Sequence, residues 1–188
     1  FLGYGKRILP GKITNFSIRM ASIGYAIPGT VIAVGVIIPF AWLDGRIDAL
    51  MQSSFGISSG LVFSGTIFSV MFAYVVRFLA ISLQAVESGL GKIKPSMDAA
   101  ARSLGSRPVE TLFKIHIPLM KSSTLTALMI VFFDVLKELP ATLILRPFDF
   151  NTLAVRAFEL ASDERLADSS IAALTIVLVG LAPVIYLS

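Results

Sequence analysis

Residues 20–43 read MASIGYAIPGTVIAVGVIIPFAWL, 24 positions without a charge between Arg19 and Asp44, and this run decides the fold class. As a helix it is long enough to cross the ~30 Å hydrocarbon layer of a bilayer. A second uncharged run of 20 residues follows Asp168 and ends at Ser188. Two further apolar stretches are Leu61 to Val86, interrupted by Arg77 alone, and Ser122 to Leu145, which carries Asp134, Lys137 and Glu138 toward its far end. The sequence therefore predicts an all-α membrane protein, a polytopic transmembrane helix bundle with about four spans, reading as one helical membrane domain over residues 1–188. Composition agrees: 55% of residues are hydrophobic and 15% charged, with a mean hydropathy of +0.83, more apolar material than one soluble core of this size can bury.

The chain opens on Phe1 and stops inside an apolar run, so it reads as a fragment of a longer membrane protein. There is no cysteine, which removes disulfides, thiolate metal sites and thiol redox chemistry. Lys and Arg are unevenly shared. The arm before the first span and the loop Glu87 to Lys121 hold ten, among them Lys6, Arg7, Lys92 and Lys114; the opposite side holds Arg46, Arg146, Arg156 and Arg165. By the positive-inside rule the arm (residues 1–19) and the loop (87–121) are cytoplasmic. This asymmetry accounts for the basic balance without a nucleic-acid partner.

Pro28, which has no amide donor, should kink or restart the first span. Ordinary bundle packing and a gating hinge are both open readings there. Gly56, Gly60 and Ser64 would let another backbone approach the second span closely. Arg77 is a charge within a span and must face protein or a wet cavity. The run directions place it nearer the inner side and Asp134 nearer the outer, so Asp134, Lys137 and Glu138 are expected to form a local ion network. The alternative is that Pro28, Arg77, Asp134, Lys137 and Glu138 line a pathway or its gate.

The loop between the middle spans has helix signals of its own. Ser96 reads as an N-cap with Asp98 in the first turn, Met97 to Leu104 as a short helix ended by Gly105, and Pro108 to Ile117 as a second helix before Pro118 leads into the next span. Within it, Ala99-Ala100-Ala101, three residues, Gly105, nine residues and Ile115-His116-Ile117-Pro118 resemble the EAA loop of binding-protein-dependent ABC transporter permeases. Two positions depart: Ala99 stands where the family has Glu, and Ile117 where it has Leu.

The resemblance implies a type I ABC importer permease-like fold. It also implies that Asp98, Ala99, Ala100, Ala101, Arg102, Gly105, Arg107, Ile115, Ile117 and Pro118 form a coupling loop seated in a cytoplasmic ATPase subunit. In this reading three alanines make a slim helix, Gly105 a tight reversal, Arg102 and Arg107 contacts to an acidic rim, and Asp98 a partial substitute for the missing Glu. Further stretches, Gly24-Tyr-Ala-Ile-Pro-Gly-Thr30, Ala73-Tyr-Val-Val-Arg-Phe78, Lys137-Glu-Leu-Pro-Ala-Thr-Leu-Ile-Leu-Arg-Pro147 and Asn151-Thr-Leu-Ala154, are similar to the ferric-iron type, with thiamine and phosphonate permeases sharing part of them.

The implied partners are ABC ATPase subunits, an extracytoplasmic solute-binding protein, a second permease half and the lipid of a bacterial inner membrane. No cofactor is expected on this chain, ATP and Mg belonging to the ATPase. His116 reads as a loop residue rather than a metal ligand, and no metal site is expected. Residues 151–166 are expected to form an interfacial helix with Leu153, Ala157, Leu160 and Ala161 on one stripe. No phosphate loop, zinc-protease helix or cysteine nucleophile marks an enzyme. A gradient-driven secondary transporter or a membrane scaffold remain as other classes, neither of which needs the Ala99 to Pro118 loop.

Overall fold

The computed structural model describes residues 2–8 and 11–187, which are helical and connecting segments without a strand among them. In order these are α1 (Leu2–Ile8), α2 (Lys12–Ile23), α3 (Gly29–Phe55), α4 (Ile67–Gly91), α5 (Pro95–Ser103), α6 (Pro108–Leu119), α7 (Lys121–Leu136), α8 (Pro140–Leu145), α9 (Leu153–Ser162) and α10 (Leu166–Leu187). α3, α4 and α10 are each long and apolar enough to cross a membrane. The pair α6 and α7, bent by 73°, passes the same test jointly, giving up to four spans. Val34, Ile38 and Trp42 on α3 and Leu174, Leu178 and Ile185 on α10 point outward, a surface that suits a lipid solvent.

The chain groups into two compact units, residues 1–26 with 78–132 and residues 27–77 with 133–188. The first has a small core of Tyr4, Leu90, Ile93 and Met120, with Val86 and Leu112 against it. The second is built on Ile32, Ala33 and Val36 of α3, Val70 and Ala73 of α4, and Ala141 and Leu145 of α8. Here α8 runs antiparallel to α4. The Ser69 hydroxyl donates to the Leu145 carbonyl (3.3 Å), Tyr74 and Thr142 share a hydroxyl contact of 2.5 Å, and Arg77 meets Glu138.

Several sequence expectations change. The first span does not run from residue 20: α2 ends at Ile23, the chain turns, and α3 begins at Gly29 with Pro28 as its N-cap, the restart that a proline predicts. Nor does it stop at Asp44. The helix continues to Phe55, and Asp44 is buried at 2% exposure. Its carboxylate accepts the amides of Val62, Phe63 and Ser64 (3.1, 2.9 and 2.8 Å) and the Ser64 hydroxyl (2.5 Å), so a charge that reads as a span end instead pins the return connection. Gly56 and Gly60 have left-handed φ of +67° and +62° and nothing against them, so they make turns rather than close helix contacts.

The span Ser122 to Leu145 is broken. α7 ends at Leu136 and α8 starts at Pro140, because Pro140 cannot donate into a continuing ladder. Asp134 and Lys137 pair as expected (2.9 Å), but Glu138 leaves that network for Arg77. α5 starts one residue before Ser96, with Pro95 in its first turn and Lys94 as N-cap, so Ser96 does not cap it. The expected interfacial helix is shorter, α9, with the Thr152 hydroxyl capping the Val155 amide (3.3 Å). It packs on α10, burying Val155 and Leu160, and Ser169 donates to the Ala157 carbonyl (2.8 Å).

Candidate functional site

In the first unit, the loop forms the helix, reversal and helix that its spacing predicts. At the end of α5, Gly105 (φ +80°) donates to the Arg102 carbonyl (3.0 Å) and Ser106 to the Ala101 carbonyl (3.0 Å). This paired bonding closes the helix with a residue in the left-handed region, where an L side chain is strained. The chain re-enters helix at Pro108, with the Arg107 amide donating to Glu110 (3.4 Å). Residues 112–116 then widen into a π turn immediately before Pro118. A widened turn relieves the clash between the proline ring and the carbonyl one turn back, and here it carries His116 to a fully buried position.

This geometry sorts the motif residues. Ala101 is buried against its own unit, whereas Ala99, Ala100, Arg102, Gly105 and Arg107 are exposed. Leu104 (85% exposed), Val109 and Phe113 add an apolar tip to that outward surface. Ile115 is half-buried, while Ile117 and Pro118 are exposed.

Asp98 does not join the outward set. One of its oxygens takes Arg7 Nε and Nη2 (both 2.7 Å) and the other takes His116 Nε2 (2.6 Å). Burial disfavours the carboxylate, but the bonds from Arg7 and His116 outweigh it and hold the Asp98 carboxyl below its ordinary value. An ionised Asp98 only accepts, so His116 Nε2 carries a proton. Tyr4 stacks edge-on against the imidazole at 5.0 Å and donates to the Pro108 carbonyl (2.9 Å). Burial pushes the Tyr4 phenol up. The expectation that Asp98 stands in for the missing Glu is therefore not supported by its position: it faces inward while Ala99 faces out.

In the second unit, two helix breaks meet one charge. Arg77 Nη1 donates to the Ile27 carbonyl (3.4 Å), at the break before α3, and Arg77 Nε lies 3.2 Å from Glu138 Oε2. Glu138 is 5% exposed and its other oxygen accepts the Ala141 amide (3.2 Å) in the first turn of α8. Gly29 makes this possible. A Cβ there would stand 2.6 Å from both Arg77 Nη1 and Glu138 Oε1. Of the pathway candidates, Pro28, Arg77 and Glu138 thus converge, whereas Asp134 and Lys137 form a separate pair with Lys137 largely exposed. Among the described residues no group of three or more metal-ligating side chains gathers.

Sequence reasoning did not single out Tyr4, Arg7, Gly29 or Asp44. Their partners lie 18 to 112 positions away, and only the Gly29 signal, a glycine after a span-breaking proline, was readable locally.

The sequence pattern of the family described as binding-protein-dependent transport system inner membrane component matches residues 2–187. Among curated proteins, the chain is 30% identical over 156 residues to the proposed 2-aminoethylphosphonate transport system permease protein PhnV of Salmonella typhimurium, covering 83% of this chain and 52% of that one. It is 26% identical over 169 residues to the Fe(3+)-transport system permease protein FbpB 2 of Haemophilus influenzae, covering 90% and 30%. To the ferric transport system permease protein FbpB of Actinobacillus pleuropneumoniae it is 32% identical over 108 residues, 57% and 13%. The chain thus spans about half the length, or less, of the curated relatives it matches.

Proposed function

Because the chain belongs to the family of binding-protein-dependent transport system inner membrane components, we propose that it is the membrane part of an ATP-driven importer, worked by a cytoplasmic ATPase through the loop α5–α6. The observation that carries this reading is the outward face of that loop. A short helix with small side chains at Ala99 and Ala100, a left-handed glycine reversal at Gly105 and an apolar tip at Leu104 make a slim, shaped wedge for a partner's groove. Arg102 and Arg107 flank it and suit an acidic rim. Ile115, Ile117 and Pro118 set the angle at which α6 leaves for the next span. ATP and Mg are then the partner's, and the loop with the basic arm faces the cytoplasm.

The clasp of Arg77, Glu138 and Pro28 is the corresponding candidate for the gate. Non-helical backbone at membrane depth is tolerated where it is buried in protein or lines a cavity, and two such breaks meet here. The solute is ferric iron handed over by an extracytoplasmic binding protein, a reading supported by the motif stretches and by the ferric relatives. Phosphonate import is the second reading, favoured by the similarity to PhnV. Arg77 and Glu138 together are neutral, so the clasp itself excludes neither a cation nor an anion.

The test is Gly105→Pro in the full-length transporter reconstituted with its ATPase. The variant should insert normally and lose uptake while ATP hydrolysis continues, whereas normal uptake contradicts the coupling role. Stimulation by binding protein loaded with Fe(III), against one loaded with 2-aminoethylphosphonate, separates the two solutes.

A further inference from the structure

Arg7 reads from sequence as one of several basic residues in a cytoplasmic arm, yet its guanidinium makes more defined contacts than any other in this unit. Besides Asp98, it donates to the Leu90 carbonyl (2.6 Å) and the Ile93 carbonyl (2.8 Å). These oxygens belong to the last turn of α4 and to the turn after it, where the Leu90 carbonyl also accepts the Ile93 amide (3.1 Å). A single side chain on α1 therefore ties the C-terminal end of α4 to the first turn of α5. Lys6 adds a second link to α4 at Glu87 (2.8 Å), and Tyr4, one turn before Arg7, reaches the start of α6 at Pro108. Asp98 passes the connection on to His116 in α6.

We propose that α1 is a strut of the coupling device, with Arg7 as a positioning residue that fixes both loop helices to the end of α4, so that force on the loop moves α4 rather than bending the loop. This inference rests on the coupling reading of the loop. Its physical basis is the geometry of the fork. Five N–H donors in one rigid plane can hold a carboxylate and two carbonyls at once, which a lysine ammonium on a flexible stem cannot do with the same directionality. The Arg7 and Asp98 side chains are about one-fifth exposed, buried enough to make the tie directional. Without it, α5 keeps residues 92–94 and the Asp98–His116 bond to α6 but loses its direct side-chain tie to the end of α4.

The experiment compares Arg7→Gln, Arg7→Lys and Gly105→Pro in the full-length transporter with its ATPase, reading complex assembly, ATP hydrolysis and uptake separately. Arg7→Gln should assemble and hydrolyse ATP but lower uptake per ATP by about tenfold, the size of a typical coupling energy, with Arg7→Lys recovering part of it. An assembled Arg7→Gln complex with normal uptake per ATP, beside an uncoupled Gly105→Pro, overturns the strut and leaves the coupling loop standing. Normal coupling in both variants overturns the loop reading and the strut with it. Should Arg7→Gln fail to assemble, Asp98→Asn decides by the same ratio, since it keeps the shape and removes only the charge.

Discussion

Two ionic clusters, one in each unit of the chain, differ in what surrounds them. The clasp of Arg77 and Glu138 lies among membrane-spanning helices, where Glu138 is 5% exposed and its companions are a helix-break carbonyl and a helix-start amide. The cluster of Arg7, Asp98 and His116 lies in the loop unit, where Arg7 and Asp98 keep about a fifth of their side-chain surface. Removing Glu138 from the first leaves the Arg77 charge among membrane-spanning helices, where an unpaired charge is costly, whereas water can replace much of what the second loses. The first is thus expected to govern stability and the second to govern coupling.

Glu138→Ala is the sharpest way to break that contrast. Stranding Arg77 should cost about 3–5 kcal/mol, seen as loss of folded protein in size-exclusion and thermal-shift measurements in detergent. If the variant were as stable as the parent, the clasp would be no anchor. Gly29→Ala comes next. Its Cβ would intrude on both charged groups, 2.6 Å from each, and the forced shift should cost about 1–3 kcal/mol. An unchanged melting temperature would mean that the break before α3 is looser than its contacts indicate.

Asp98→Asn should have the smallest stability effect, about 1–2 kcal/mol at neutral pH. The folded Asp98 carboxyl is held below its ordinary value, so its contribution is present above the unfolded pKa and lost as pH falls through the folded one. The difference between parent and variant should therefore shrink in acid. A difference that persists unchanged there would assign the effect to packing rather than charge.

Much of the fold was legible because uncharged runs of 20 residues or more leave few alternatives to a membrane span. The loop was legible too, since Pro95, Gly105 and Pro108 punctuate it with residues whose backbone preferences are strong. What escaped were charges whose role depends on a distant partner. Asp44 looked like the end of a span because a buried carboxylate can be told from an exposed one only when its donors, 18 to 20 residues on, are known. Glu138 was assigned to its helical neighbours Asp134 and Lys137 because the third span was read as unbroken. Pro140, just beyond Glu138, was the signal that it breaks there and turns the carboxylate to Arg77. Arg7 was counted for its sign alone.

The central claim is that the outward face of the loop docks on an ATPase, and it is tested most directly at Leu104, the exposed apolar tip of that face. This chain has no cysteine, so Leu104→Cys places one thiol at that point in it. With a full-length parent freed of any other cysteines, a short bifunctional reagent should join this position to the ATPase subunit, and the yield should change when ATP is bound. A thiol that stays open to a bulky water-soluble maleimide in the assembled, transport-competent complex, with no ATPase captured, would contradict the account.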